Sequence, residues 1–317
     1  MADLPPVPGK LMLGGEYAVL RPGGLCLAVA VGRLVELALG DPVPEPRLTL
    51  AAFGQSWTVG ADSTGSGLAG FAAATLAWLA AQAGLRPLRA LHLRVGGAIG
   101  GAKVGLGTSA AVTVATLRAA LAACETTWPA DRVAAAARAV HAHHQGARGS
   151  GYDVTTIACG GVLAFRPDEG ATALRWPAGL YAAALFSGAP APTAEALARA
   201  PLPRAALDAI ASAAEGLLEA FGRQQAAAVL AAAAACEAAF GLAADAEPRL
   251  LPAASREVRE VIAAAGCVAR TSGAGGGDCV LAFATNPAAI DRAIAGWWAC
   301  GGHVVARLPT DLAESSI

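Results

Sequence analysis

Apolar residues in the first third of the chain come in short runs, not in long helical stripes. Val7–Leu13 and Leu25–Leu39 are rich in Val, Leu and Ala and flank the turn sequence Arg21-Pro-Gly-Gly, which predicts two strands around a tight connection. Arg47–Val59 alternates apolar and polar positions and predicts a hairpin. A helix over Gly67–Ala83 follows, then a strand Ala90–Val95 and a glycine-dense loop to Gly107. Two helices come next, Ser109–Ala123 and Pro129–Gln145, the second opening on a proline where the missing N–H is tolerated. A short helix after Gly151 and a strand Gly161–Pro167 complete this half.

The second half reads differently. A strand Tyr181–Ser187 leads into Ala-rich helix from about Thr193 to Ala265, broken near Pro203, Gly222 and Pro248. Strands Cys267–Thr271 and Cys279–Ala284, a helix Pro287–Cys300 and a strand His303–Leu308 follow. That order suits an α+β layer with helices on one face of an antiparallel sheet. The turn-rich sequences Pro167-Asp-Glu-Gly and Trp176-Pro-Ala-Gly place a domain boundary between Phe165 and Leu180, drawn here as 1–172 and 173–317. The faces of the Ala-rich helices are too uniform to orient.

Composition narrows the class. The chain has 317 residues, 55% hydrophobic and 15% charged, and 84 of them are Ala, which excludes global disorder. Net charge is −1, and no run of five or more Lys/Arg occurs, so neither nucleic acid nor an anionic membrane is expected as a partner. Ser63–Leu85 is long and uncharged, yet too rich in Ala, Gly, Ser and Thr for a membrane span. Seven Cys without a C-x-x-C pair suggest neither a disulfide framework nor a zinc ribbon, and with no basic-then-apolar leader they point to the reducing cytoplasm. Of 23 basic residues only Lys10 and Lys103 are Lys.

Candidate chemistry lies in three glycine-rich segments. Lys103-Val-Gly-Leu-Gly-Thr-Ser-Ala sets a glycine loop and two hydroxyls ahead of an Ala/Val helix. Free N–H groups and the dipole at a helix start form an anion site, although a tight strand-to-helix turn would use the same glycines. No Walker A pattern is present. Gly105-x-Gly107-x-x-Ala110, with Glu125 beyond it, matches the dinucleotide fingerprint, but Glu125 does not close an apolar second strand. His141 and His144 share a helix face without an Asp, Glu or Cys at ligand spacing, so metal binding there is not expected. Cys300-x-x-His303 reads as a helix-to-strand corner, and Asp278 and Cys279 read as the start of a buried strand.

The outer segments are Pro8-Gly-Lys-Leu-Met-Leu-Gly-Gly-Glu-Tyr-Ala-Val-Leu and Ser272-Gly-Ala-Gly-Gly-Gly-Asp-Cys. With the central loop they resemble, in order and spacing, the three motifs of the GHMP small-molecule kinases, a superfamily that includes galactokinase, homoserine kinase, mevalonate kinase and phosphomevalonate kinase. The wording of Gly15–Leu20, Lys103–Ser109 and His141–Val154 is closest to the phosphomevalonate kinase branch. Mevalonate-type relatives carry a metal-binding Glu eleven residues before the catalytic Asp, where this chain has Ala142.

The resemblance implies a two-domain α+β fold, an N-terminal domain like the second domain of ribosomal protein S5 and a ferredoxin-like C-terminal domain. It implies ATP and Mg²⁺ as cofactors and a small-molecule substrate, 5-phosphomevalonate or mevalonate. Lys10 and Asp153 would be catalytic. Lys103, Gly105, Leu106, Gly107, Thr108, Ser109 and Ala110 would hold the nucleotide, with Ser109 on the metal. Glu16, Tyr17, Arg148, Ser150 and Gly151, with Ser272, Gly273, Ala274, Gly275 and Gly276, would meet the acceptor. A phosphorylated acceptor brings a dianion, which makes Lys103 and Arg148 candidates for holding it.

Overall fold

Strand β2 (Cys26–Pro42) is the spine of the first sheet. Strand β1 (Ala2–Gly14) runs antiparallel along it, from Ala2 opposite Leu39 to Gly14 opposite Leu27. On its other edge β2 pairs first with β8 (Val162–Arg166) and then with β5 (Arg89–Val95). The hairpin of β3 (Leu48–Ala52) and β4 (Gln55–Val59) extends the sheet beyond β5, and β9 (Gly170–Leu174) closes the far side against β8. A two-residue hairpin, β6 (Ala98–Ile99) and β7 (Ala102–Lys103), stands apart in the glycine-dense loop. The structure, a computed structural model, describes residues 1–146, 149–191 and 202–311.

Helices α1 (Gly67–Ala83), α2 (Thr108–Ala123), α3 (Ala130–His144) and α4 (Tyr152–Cys159) cover this sheet. The central one is α2, buried on almost every side by small residues from Ala110 to Ala120. Its buried hydroxyls are satisfied within the helix, Thr113 donating to the Ser109 carbonyl at 3.0 Å and Thr116 to that of Val112 at 2.8 Å. Helix α1 stops at Gly84, whose φ of 64° supplies the left-handed cap.

The division expected at 172/173 falls inside β9, which stays with the first sheet because its five residues pair along β8. The changeover lies in 175–180, where Trp176 Nε1 donates to the Leu180 carbonyl across a turn. The second half then runs β10 (Tyr181–Phe186), α5 (Arg204–Gly222), α6 (Ala226–Ala246), α7 (Ala253–Ala264), β11 (Val268–Thr271), β12 (Cys279–Ala284), α8 (Pro287–Ala299) and β13 (His303–Leu308). The four strands lie antiparallel in the order β11-β12-β10-β13, the split β–α–β–β–α–β arrangement of a ferredoxin-like layer. The part of the expected Ala-rich helix before 202 lies outside the described residues.

Helices cover more than one face of this sheet. Ala183, Leu185, Val280 and Ala282 face α7 and α8, with Ile290 and Trp297 in the same cluster. Their neighbours Ala182, Ala184, Phe186, Leu281 and Phe283 join a single core with the first sheet and with α5 and α6. A strand buried on both faces has no polar positions to alternate with, which is why β10 and β12 read as unbroken apolar runs. Helix α6 is the one described helix long and apolar enough to cross a membrane; here it packs against α5 and carries the buried Glu237. All seven thiols are free.

A buried ion cluster ties the halves together. Arg270 on β11 is 0% exposed. Its Nε donates to the Leu13 carbonyl at 3.1 Å, one Nη to Glu237 Oε2 at 3.1 Å and the other to Glu16. Glu237 also accepts from the Thr271 N–H at 2.7 Å and from Arg259. Two cations and two carboxylates thus neutralise one another, Arg270 and Glu237 with further hydrogen bonds to the backbone, while Glu16 Oε1 is buried without a partner among the described residues. Removing one partner strands the others. Arg270→Ala is expected to destabilise by roughly 3–5 kcal/mol, whereas Arg94→Ala, which breaks a solvent-exposed pair with Glu36, should stay within about 1 kcal/mol of wild type. Urea denaturation of both variants measures the contrast, and equal losses would remove the special role of the cluster.

Candidate active site

The sequence folds β1 so that Gly9 and Lys10 lie against the loop ahead of α2. A side chain at Gly9 would strike Leu106 Cβ at 2.9 Å, and the Lys10 N–H donates to the Leu106 carbonyl at 3.0 Å. Lys10 is therefore inside the strand, opposite Ala30. Its Nζ donates to the Gly105 carbonyl at 2.8 Å and sits 5.7 Å from the centre of the Tyr152 ring.

The loop delivers helix α2 through Gly107, whose φ of 76° is left-handed. The N–H groups of Thr108, Ser109 and Ala110 have no carbonyl partner within the helix, since its ladder begins with Ala111 donating to Gly107. Gly105 is needed for close approach: a Cβ there would lie 2.6 Å from the Asp278 carboxyl carbon. These groups open onto one cavity of about 610 Å³ lined by both halves of the chain.

Most of the expected residues meet there. Lys10, Lys103, Gly105, Gly107, Thr108 and Ser109 line it from the first half, together with Glu16, Tyr17, Ser150, Gly151 and Asp153. Ser272, Gly273, Ala274 and Gly275 line it from the second. Three do not. The side chains of Leu106 and Ala110 turn into the core, and the Gly276 N–H is spent on the Leu250 carbonyl at 2.8 Å. Arg148 lies outside the described residues.

Several roles shift with the geometry. Glu16 is 1% exposed with one carboxylate oxygen on Arg270 and the other, Oε1, without a partner among the described residues, so it braces the ion cluster as well as lining the cavity. The Ser272 hydroxyl accepts the Met12 N–H at 3.0 Å, and Tyr17 donates its hydroxyl to the Ala274 carbonyl. Both bonds pin the third glycine turn to the first. Asp153 accepts the Val154 N–H at 2.9 Å in the first turn of α4.

Residues missed in the sequence complete the wall. Asp278 lines the cavity instead of merely starting β12. Its φ of 57° turns the carboxyl back over Gly105, and Oδ1 accepts the Ala191 N–H at 3.0 Å. Burial pushes its carboxyl above the ordinary range, against the pull of the Ala191 N–H and of Lys10. Cys279, in contrast, is structural, its thiol buried against the Val104 carbonyl. Arg138 on α3 packs along Gly151 and brings a guanidinium to the cavity. His141 is 4% exposed, stacked on Phe71, with Nε2 3.2 Å from Ser109 Oγ. Burial lowers its imidazole below the usual value, partly offset by Asp153. Asp278 could have been sought as the polar residue that ends a glycine run; nothing in the spacing marks His141 against Ser109, 32 positions away.

The dinucleotide reading falls here. That fingerprint needs a strand, a turn, a helix and a second parallel strand, whereas Gly105 follows the two-residue β7 and α2 leads into α3. No group of three metal-ligating side chains occurs among the described residues.

Comparison with known proteins agrees with the architecture. The GHMP kinases N terminal domain matches residues 71–161 and the GHMP kinases C terminal domain residues 217–302. The phosphomevalonate kinase of Streptomyces sp. (strain CL190) is 33% identical over 188 residues, 51% of this chain; the match spans only about half of that enzyme, 49%. The Streptococcus pneumoniae phosphomevalonate kinase, solved with phosphomevalonate and AMPPNP, superposes with a TM-score of 0.81 at 20% identity, covering 97% of this chain and 99% of that one. The Methanococcus jannaschii mevalonate kinase gives 0.76 at 15%, covering 95% and 96%. At such identities the two structures speak for the fold.

The raised Asp278 carboxyl sets a pH dependence. Folded protein holds this proton more tightly than unfolded chain does, so wild-type stability falls as the pH rises through the raised value. Asp278→Asn keeps the acceptor for Ala191 and removes the charge. Its melting temperature relative to wild type should therefore increase as the pH rises from the ordinary carboxylate range, about 4, through the raised value; thermal melts showing a constant or shrinking difference would contradict the burial of this charge.

Proposed function

Because the chain belongs to the GHMP kinase family, both of whose domains it contains, we propose that it transfers the γ-phosphoryl group of ATP, with Mg²⁺, to the phosphate of 5-phosphomevalonate. One observation carries the reading: Lys10, held at the Gly105 carbonyl, shares a cavity with the unpaired first-turn N–H groups of α2 and with the third glycine turn. Phosphoryl transfer asks for positioning and charge neutralisation more than for covalent help, and this cavity offers cations and N–H donors. Supply of isoprenoid precursors in a reducing cytoplasm is the setting this implies, consistent with seven free thiols.

The first-turn N–H groups would take the nucleotide phosphates, with glycine backbone letting the oxygens approach. Ser109 offers a hard oxygen donor, and Mg²⁺ is commonly held by few protein ligands plus substrate phosphates, so the residues fit it. Bound there, the ion would neutralise charge on the phosphate oxygens. Lys10 would leave the Gly105 carbonyl to bridge the transferring group and its acceptor. The acceptor phosphate oxygen forms the new P–O bond as the bond from the γ-phosphorus to the ADP oxygen breaks.

Cations favour a phosphorylated acceptor. Lys103 and Arg138 line the same cavity, which suits a substrate that already carries a dianion. The second pKa of such a phosphate is near 6, so it reaches the site largely deprotonated and needs no base; Asp153 then orients Lys10 and substrate. The 33% identity to a phosphomevalonate kinase supports the same choice.

A coupled ADP-release assay across 5-phosphomevalonate, mevalonate, homoserine and galactose is the direct test. Turnover is expected with 5-phosphomevalonate alone; turnover with mevalonate alone would overturn the acceptor assignment, and none with any would favour a binding protein that keeps the fold. Lys10→Met should lower kcat by roughly 10²–10³-fold, the size of losing one donor to the developing charge. Asp153→Asn should cost clearly less than about 10⁴-fold, the upper size of acid–base effects, and a larger loss in steady-state kcat would restore it as a base.

A further inference from the structure

Ser109 and His141 are brought together by the packing of α3 on α2, with Phe71 of α1 closing the other side of the imidazole at a ring separation of 4.8 Å. His141 Nε2 lies 3.2 Å from Ser109 Oγ and 3.5 Å from Gln145 Nε2. In the tautomer with the ring proton on Nδ1, Nε2 is an acceptor; the Gln145 amide nitrogen, which can only donate, suits this tautomer, and the Ser109 hydroxyl, which can donate or accept, then donates.

This tautomer matters because a hydroxyl has one proton and two lone pairs. A serine oxygen that faces a cation must turn a lone pair toward it, and its proton has to be accepted on another side. The next residue along α3 is Ala142, which carries no polar atom to share that task.

We propose that His141 is a positioning residue for the divalent cation that arrives with the nucleotide: by accepting the Ser109 hydroxyl proton at Nε2, it aims a Ser109 lone pair at the ion. The assignment rests on Ser109 serving as the oxygen ligand, as in the function proposed above. It gives the imidazole no bond to the metal, in keeping with the preference of Mg²⁺ for oxygen, and makes it the outer partner that fixes a ligand's orientation.

Calorimetric titration of ADP with and without Mg²⁺ tests this apart from turnover. His141→Phe keeps a ring on Phe71 but cannot accept a proton, and His141→Gln restores an acceptor. In His141→Phe the tightening of ADP by Mg²⁺ should shrink by about 10-fold or more, with metal-free ADP affinity near that of wild type, and His141→Gln should recover part of the loss. Equal losses with and without Mg²⁺ would reduce His141 to packing, and an unchanged Mg²⁺ effect would overturn the proposal outright. Wild-type protein with Mn²⁺ and ADP supplies a measurement that needs no variant: electron spin echo modulation should lack the coupling of a directly coordinated nitrogen, and its presence would make His141 a ligand instead. Failure of the wild-type chain to bind ADP under either condition would overturn the phosphate site itself, a different result from a metal effect that ignores residue 141.

Discussion

Arg270 is where the two halves of this molecule become one. Its guanidinium, fully out of water, reaches the Leu13 carbonyl and Glu16 at the end of β1 and Glu237 on α6. A lone buried charge would be prohibitively costly, so each member of the cluster requires the others. The consequence is geometric. Strand β1, which carries Lys10, cannot drift from β11, which leads into the third glycine turn. The Met12–Ser272 and Tyr17–Ala274 bonds extend the same strap toward the cavity.

Around that strap the site is built from backbone. Glycines at 105 and 107 let strand β1, the Asp278 carboxyl and the start of α2 approach more closely than side chains would permit. The first turn of α2, two lysines and Arg138 then line a cavity whose far wall comes from the second half of the chain. Alanine serves the same end elsewhere: α2 is enclosed by its neighbours because its surface is small and nearly smooth. An Ala-rich chain with few aromatics obtains its core through close approach of backbones more than through bulk.

Much of this was legible beforehand. Helix Gly67–Ala83 and strands Cys279–Ala284 and His303–Leu308 lie where the apolar pattern put them, because each has ends marked by Gly, Asn-Pro or a polar corner. Strand β9 was missed, since Gly170–Leu174 is an exposed edge with too few apolar residues to register. The Ala-rich α5 and α6 were legible as helices but not orientable. Their buried faces are set by a few larger residues such as Ile210, Leu217, Val229 and Phe240, diluted among alanines that fit anywhere.

The order and spacing of three glycine segments, with the only two lysines in the first and second of them, determined the family, because backbone close to phosphate restricts the residue type at each position. Sequence could also say that β10 and β12 were strands, but not that both their faces were buried. Only the folded chain decided which polar side chains face the cavity and which brace it. Glu16 reads as a ligand in its motif, and in the fold it lines the cavity while also bracing Arg270. Asp278 reads as the edge of a strand and proves to line the site, and His141 reads as one of three clustered histidines and meets Ser109. The physical reason is common to all three: a motif records local backbone needs, whereas the direction of a charged or titratable side chain is fixed by partners hundreds of residues away or on another helix.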